Sequence, residues 1–472
     1  MFDLMMTMMQ RCLFALLLLW LLLLEVCEAQ NELYHQFLNQ KRPSVKAVSR
    51  ATPSPAVARK GQLKPWLQAD ADKVLFRNTD EFYADVKLSE AQRQAVAEHR
   101  AAQDRMRRDR RSSALQRALD AYAVRHNAAL ASPDAWLRSE HRFIVWRCAA
   151  ASTPIGEQME SMLSAFLLAL LTDRVFLAFG PIVPFFESPF ASGHSLEHQV
   201  FYARPGEPNV TETKLYPLTA RHDLPLFACG DPRTVAHKVW RLSGQFYFAL
   251  LLARNPHFRG TLLQWFPPAN DTGVVANMFA PLADFLFAVP SREITRRVRA
   301  FEDHYFGGVG STIGLHLRLP RTAAPDDVDV EELATRVARC VDVAVMPALK
   351  KLRLKPIFFV ASAYFDAKAL MSKAFAKDAI VAFNEHKAAA GNETAALEAA
   401  LVEWHLLSRT HDMVMSFATP FARTAAAVAS VAPIVVDHQS LSCARLNTTD
   451  LQLIASEDWW MQPGNVKCSD TR

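Results

Sequence analysis

The chain lacks any cluster of cysteine and histidine at zinc-binding spacing, although it holds 7 Cys and 15 His in 472 residues. A zinc finger or zinc hydrolase therefore has no support in the sequence. Its basic residues lack interleaved aromatics at a spacing suited to stacking bases, which sets nucleic-acid binding aside. A clean bilayer-length apolar run is missing too. Cys12 to Leu24 falls short of the about 20 residues a span needs, and extending it back to Met5 brings in Gln10 and Arg11. Small residues at Cys27-Glu28-Ala29 lie where a signal peptidase reads, so on physical grounds residues 1–29 form a cleaved signal peptide. The loop Pro154-Ile155-Gly156-Glu157 holds a single glycine, which is weak evidence for anion binding at a helix N-terminus.

What is present is ample apolar material. At 50% hydrophobic residues the chain can fill two cores. The net charge of +5 is uneven. Lys41, Arg42, Lys46, Arg50, Arg59, Lys60 and Lys64 fall in a Pro/Ser-rich stretch without acids, and a second basic cluster runs from Arg105 to Arg111. Residues 30–114 accordingly read as a flexible stem followed by a charged helix.

The most informative segment is Ser311 to Leu319, which alternates strictly: Ile313, Leu315, Leu317 and Leu319 on one face, Gly314, His316 and Arg318 on the other. That period predicts a buried strand with cationic chemistry at its end. The Arg318 fork suits two phosphate oxygens at once, and a structural ion pair is the alternative reading. Beyond it, helix and strand alternate. Helices are expected over Val330–Leu349, Asp366–Ala376, Ala395–Leu407 and Phe421–Ser430, with strands at Pro356–Ala361, Ala379–Phe383, Asp412–Ser416 and Pro433–Val436. Repeated units of this size predict a parallel sheet covered on both faces, with ligands at the carboxyl ends of strands. Arg318, Ser362 and Ser416 then line one crevice. The preceding half carries a similar unit: strand Arg142–Trp146, a helix with apolar residues from Met159 to Leu170, and strand Arg174–Phe179. Two α/β halves, 115–305 and 306–472, give the outline of a GT-B-like transferase with two Rossmann-like domains facing a cleft.

Several blocks, in order, resemble the plant-type α-fucosyltransferases that modify cell-wall xyloglucan and arabinogalactan. They are Leu163 to Val175, Phe186-Glu187-Ser188-Pro189-Phe190, Asp284-Phe285-Leu286-Phe287, Ile313 to Arg318, Glu403 to Ser408 with Asp412 to Ser416, and Asn465-Val466-Lys467-Cys468-Ser469-Asp470. The resemblance covers roughly residues 115 to 470. It implies an inverting, α-1,2-fucosyltransferase-like enzyme with GDP-fucose as donor substrate, no cofactor and no metal. Arg318 would stabilise the leaving diphosphate, and Gly314, His316, Ser362, Asp412, Ser416 and Thr419 would help to bind the donor, Asp412 through the guanine N–H groups. Glu157 is the candidate general base. His316 also reads as a hydrogen-bonded structural histidine, and Asp412 as a cap on its own strand. Asp327-Val328-Asp329 has the spelling of a metal-binding pair, but its acidic run fits a solvated loop and helix start.

The chain departs from the family pattern in its thinned first loop, in Thr419-Pro420-Phe421 where a serine-threonine-phenylalanine run is usual, and in His316 where plant members carry Gln. The resemblance implies a Golgi type II protein anchored through the N-terminal segment, with the catalytic domain luminal and a galactose-terminated glycan as acceptor. Acceptors for N-glycosylation stand at Asn209, Asn270, Asn392 and Asn447. Of the luminal cysteines, Cys443 and Cys468 are the first expected pair. A transferase with another donor or acceptor, and a non-catalytic glycan-binding or scaffold protein on the same fold, stay open as alternatives. Oligomeric state has no sequence signal.

Overall fold

The computed structural model describes residues 111–131, 140–148, 153–190, 210–215, 224–268, 278–306, 311–318, 330–351, 356–362, 365–375, 379–383, 392–416, 419–436 and 443–446, together with Gln94. Apart from Gln94, these residues build two sheets that lie within one compact unit, Leu63–Arg472. The N-terminal apolar run, most of the stem, Asp327, Asp329, Asn209, Asn270, Asn447 and Cys468 lie outside the described residues. Among the described residues no helix is long and apolar enough to cross a membrane.

In the first half, α1 (Ser113–Leu130) precedes β1 (Phe143–Cys148), α2 (Ile155–Thr172) and β2 (Val175–Phe179). Strands β3 (Val210–Leu215) and β4 (Val239–Gly244) complete a four-stranded parallel sheet of order β2-β1-β4-β3. Two longer helices follow, α3 (Phe279–Leu286) and α4 (Arg292–Phe301). Neither β3 nor β4 was expected from periodicity. β3 reads Val-Thr-Glu-Thr-Lys-Leu and forms an edge, where little apolar area has to be buried. β4 is buried throughout yet carries Arg241 in its middle, which breaks the apolar run.

The second half begins with β5 (Ser311–His316), then α5 (Val330–Cys340), which continues through a π-helical turn, Val341–Val345, into a short helix ending at Lys351. After it come β6 (Pro356–Ala361), α6 (Phe365–Ala374), β7 (Ala379–Ala382), α7 (Glu393–Leu407), β8 (Asp412–Met415), α8 (Pro420–Ala429), β9 (Ile434–Val436) and β10 (Cys443–Arg445). The sheet order is β10-β9-β8-β5-β6-β7, parallel except for β10. The expected elements of this half all appear, with ends shifted by one or two residues apart from the π-helical interruption.

The alternation of β5 is realised in packing. Ile313, Leu315 and Leu317 join a core with Val337 and Val341 on one face of the sheet. On the other face Gly314 lies so close to α7 and the loop after it that a Cβ would stand 2.6 Å from Leu407 Cδ1 and 2.8 Å from Thr410 Oγ1. That contact demands glycine. The largest core is continuous across both halves: it contains Met159, Phe166 and Trp146 together with Trp404, Leu407, Ala422 and Ala425. α8 is the element that brings them together, because its alanine face allows close approach to α2. Such burial stabilises by about 25 cal/mol per Å² of apolar surface.

One expectation is corrected. Cys443 is bonded to Cys340, not to Cys468, with the two Cα atoms 5.6 Å apart. Nearness in the chain suggested the wrong partner; α5 passes behind the sheet and reaches β10 across 103 residues of sequence.

Candidate functional site

Parallel pairing puts the carboxyl ends of β5, β6 and β8 side by side, with His316 opposite Ala361 and Met415. The chain leaving β5 is held there by two serines. The Arg318 N–H donates to Ser416 Oγ at 2.7 Å, and the Ser416 hydroxyl donates back to the Arg318 carbonyl at 2.8 Å. Ser362 Oγ donates to the Leu317 carbonyl at 3.0 Å, while the Leu317 and Ser416 N–H groups bond to Ala361 and His316 carbonyls. Ser362 and Ser416 thus stand beside Arg318 at the carboxyl ends of β6 and β8, but both are buried and their hydroxyls hold backbone. What they fix is the position from which the half-buried Arg318 side chain departs.

His316 is buried and its ring stacks on Phe421, centroids 5.6 Å apart. Its Nδ1 has no hydrogen-bond partner among the described residues. Burial pulls its pKa down to about 4, Glu403 pulling weakly the other way and Arg318 adding to the depression. The expected cationic face is therefore revised: at neutral pH His316 is uncharged, because the desolvated ring cannot hold a proton beside a guanidinium, and the positive charge of this strand end resides in Arg318. Glu403 is itself buried against Lys368 at 2.9 Å, and Lys368 also donates to the Phe383 carbonyl at 2.8 Å.

Thr419 is the N-cap of α8, its hydroxyl accepting from the Ala422 N–H at 3.3 Å, and Pro420 occupies the first helical position. Pro fits there because its fixed φ suits a helix start and its missing N–H has no intrahelical partner to lose. α2 begins alongside. It has no side-chain cap and carries Glu157, buried, in its first turn. The two helix starts touch: a Cβ on Gly156 would sit 2.3 Å from Phe421 N and from Pro420 C. The single glycine of the first loop is thus a packing requirement between halves. One turn further in, Arg423 on α8 and Glu160 on α2 form a two-pronged ion pair with both bonds at 2.6 Å, the side chains 13% and 4% exposed. The sequence gives no signal for it, since the partners stand 263 residues apart.

Asp412 is not brought to this edge. It opens β8 at the amino end, opposite Ile313, about 10 Å of strand from the His316 level. Its carboxylate is gripped by Arg445 at 2.9 and 2.8 Å. Gly314 sits mid-strand in the packing contact above. Asn392 is exposed, and its side chain caps α7 by accepting from the Ala395 N–H at 3.1 Å. No cluster of three His, Cys, Asp or Glu residues that would suit a metal ion occurs among the described residues.

No protein-family model matches the chain, and no curated protein matches it either. Among solved structures, a point mutant of Arabidopsis thaliana FUT1 in complex with GDP aligns over 71% of this chain and 83% of its own, at 20% identity and a TM-score of 0.55. The chain shares that fold. NodZ alpha-1,6-fucosyltransferase co-crystallised with GDP aligns over 63% of this chain and 96% of its own, at 15% identity and a TM-score of 0.40. The same enzyme soaked with GDP-fucose aligns over 65% and 100%, at 14% and 0.41. The architecture is accordingly mixed α/β with parallel sheets, in the arrangement of GT-B-like fucosyltransferases.

Proposed function

We propose that the chain is a glycosyltransferase that moves fucose from GDP-fucose to a galactose-terminated cell-wall polysaccharide or glycoprotein glycan, with inversion and without a metal. The observation that carries this reading is the position of Arg318. It leaves the carboxyl end of a central parallel strand, where ligands of such sheets bind, with its backbone pinned by Ser416 and Ser362. The order of sequence blocks, and the GDP in the FUT1 structure of the same fold, support it.

In this reading the sugar–phosphate bond breaks with negative charge growing on the diphosphate. Arg318 meets that charge as a donor already in place, so little reorganisation is needed as the bond stretches. Neutral His316 supplies hydrogen bonding and shape. Glu157, in the first turn of α2 at the junction with α8, is the candidate to take the proton of the acceptor hydroxyl. Type II anchoring in the Golgi membrane with a luminal catalytic domain belongs to the same proposal, and the Cys340–Cys443 disulfide fits an oxidising compartment.

The test is GDP-fucose turnover by the full-length chain, produced in a secretory host, against a panel of galactose-terminated acceptors. Arg318→Ala should lose about 100-fold or more in rate. A folded wild-type protein that binds no GDP would sink the donor assignment. Binding of GDP with no turnover on any acceptor would favour the non-catalytic reading, which the proline at the first position of α8 and the lone Gly156 keep in play.

A further inference from the structure

The Glu160–Arg423 pair is oddly placed for a structural ion pair. Glu160 is buried in α2 among Met159, Met162 and Leu163 as well as Gln158, Ser161 and Ser164, and Arg423 lies in the second turn of α8, near the positive end of that helix. A guanidinium there is disfavoured by the helix field as well as by burial. Two apolar side chains would fill the space at less desolvation cost. What an apolar pair does not supply is direction: two parallel N–H···O bonds fix one helix against the other in a single register.

The register matters for what α8 touches. Three residues before Arg423, the Pro420–Phe421 backbone rests on Gly156. Phe421 stacks on His316, two residues before Arg318. On the far side, Trp404 Nε1 donates to Thr424 Oγ1 at 2.9 Å and ties α8 to α7. The first turn of α8 is therefore a wedge between α2 and the exit of β5, and Glu160 grips it from the other half of the molecule. Tyr247, whose buried hydroxyl has no hydrogen-bond partner among the described residues, lies close enough to feel both charges.

We propose that Glu160 and Arg423 are positioning residues: their ion pair sets the first turn of α8 against α2 and, through Phe421 and His316, sets where Arg318 stands. This rests on the transferase reading for its effect on turnover, but not for its effect on α8.

The experiment compares the full-length wild type with the double variant Glu160→Met/Arg423→Met, which removes the pair and fills its space, and with Arg423→Lys, which keeps the charge and loses the fork. Melting temperature, GDP affinity, kcat and KM for GDP-fucose, and hydrogen exchange of the α8 first-turn amides are measured on each. The expected result is a double variant that melts within a few degrees of wild type, yet binds GDP about 10-fold more weakly, turns over about 10-fold more slowly and exchanges its α8 first turn faster. Arg423→Lys should fall between, and it carries the comparison if the double variant does not fold. A double variant with wild-type affinity, turnover and exchange would overturn the proposal, as would variants whose only change is a lower melting temperature. If the wild type neither binds GDP nor turns over, the transferase reading fails by itself, and the exchange of α8 still decides whether the pair positions it.

Discussion

Lowering the pH should destabilise this protein through three buried histidines, one of them in the candidate site. Burial holds His126 and His316 at pKa values of about 4 and His405 at about 3, against 6.5 for a free ring. His126 Nε2–H donates to the Phe176 carbonyl, 2.8 Å away; His316 faces Glu403, Arg318 and Phe421; His405 lies beside Arg409 and Phe186, its Nε2 without a hydrogen-bond partner among the described residues. Because the folded pKa is the lower one, the unfolded chain binds protons first as pH falls. Stability is therefore full above about 6.5 and declines as pH falls, levelling off below about 4 for His126 and His316 and below about 3 for His405. At pH 5 each ring contributes a loss of about 2 kcal/mol relative to pH 7.5, or about 6 kcal/mol for the three, a large part of the roughly 5–15 kcal/mol that holds a folded domain. The assay is urea unfolding at pH 7.5 and pH 5, wild type beside His405→Leu, which removes one titrating ring and one unbonded nitrogen. The variant should lose about 2 kcal/mol less than wild type over that interval. Equal losses would refute the argument, and so would a His316 resonance that titrates near 6.5.

Other consequences are as direct. Gly156→Ala drives a methyl into the Pro420–Phe421 backbone and should destabilise by about 1–3 kcal/mol, read as a lower urea midpoint with unchanged slope. Ser416→Ala removes both hydroxyl bonds to the Arg318 backbone, which is worth about 1–3 kcal/mol when a buried group loses its partner; GDP affinity should fall about 10-fold. Peptide mapping under non-reducing conditions should recover Cys340 linked to Cys443, and Cys340→Ser with Cys443→Ser should cost about 2–5 kcal/mol for a closed loop of 103 residues.

The second half was legible because its strands are buried on both faces and its helices keep a clean period. β5 shows this most clearly: the faces read from Ile313, Leu315 and Leu317 against Gly314 and His316 are those that pack on α5 and α7. The first half was legible only around α2. β3 is a polar edge strand, and β4 hides its period behind Arg241. The sequence places Asp412 first in its strand, as it is; its donor role comes from the resemblance alone, and the pairing with Ile313 sets it at the amino end, away from His316. Contacts between distant segments, Glu160 with Arg423 and Cys340 with Cys443, carry no local pattern at all.

The departures from the family pattern acquire a common physical sense once α8 is seen in place. A helix start can hold an anion with its free amides, yet here the devices are closed one after another. Pro420 has no N–H to offer, Thr419 takes the Ala422 amide, and the Pro420–Phe421 backbone lies tight against Gly156. His316, stacked behind them, is neutral. In the proposed transferase, a diphosphate would meet, among the described residues of this junction, the guanidinium of Arg318 and the first turn of α2, which has no side-chain cap but includes the buried carboxyl of Glu157. On that proposal the demand on Arg318 would be correspondingly greater than where several donors share the charge. Ser416 on the Arg318 backbone, Ser362 on the Leu317 carbonyl before it, and a wedge held from the opposite half would suit such a concentration of duty in one side chain.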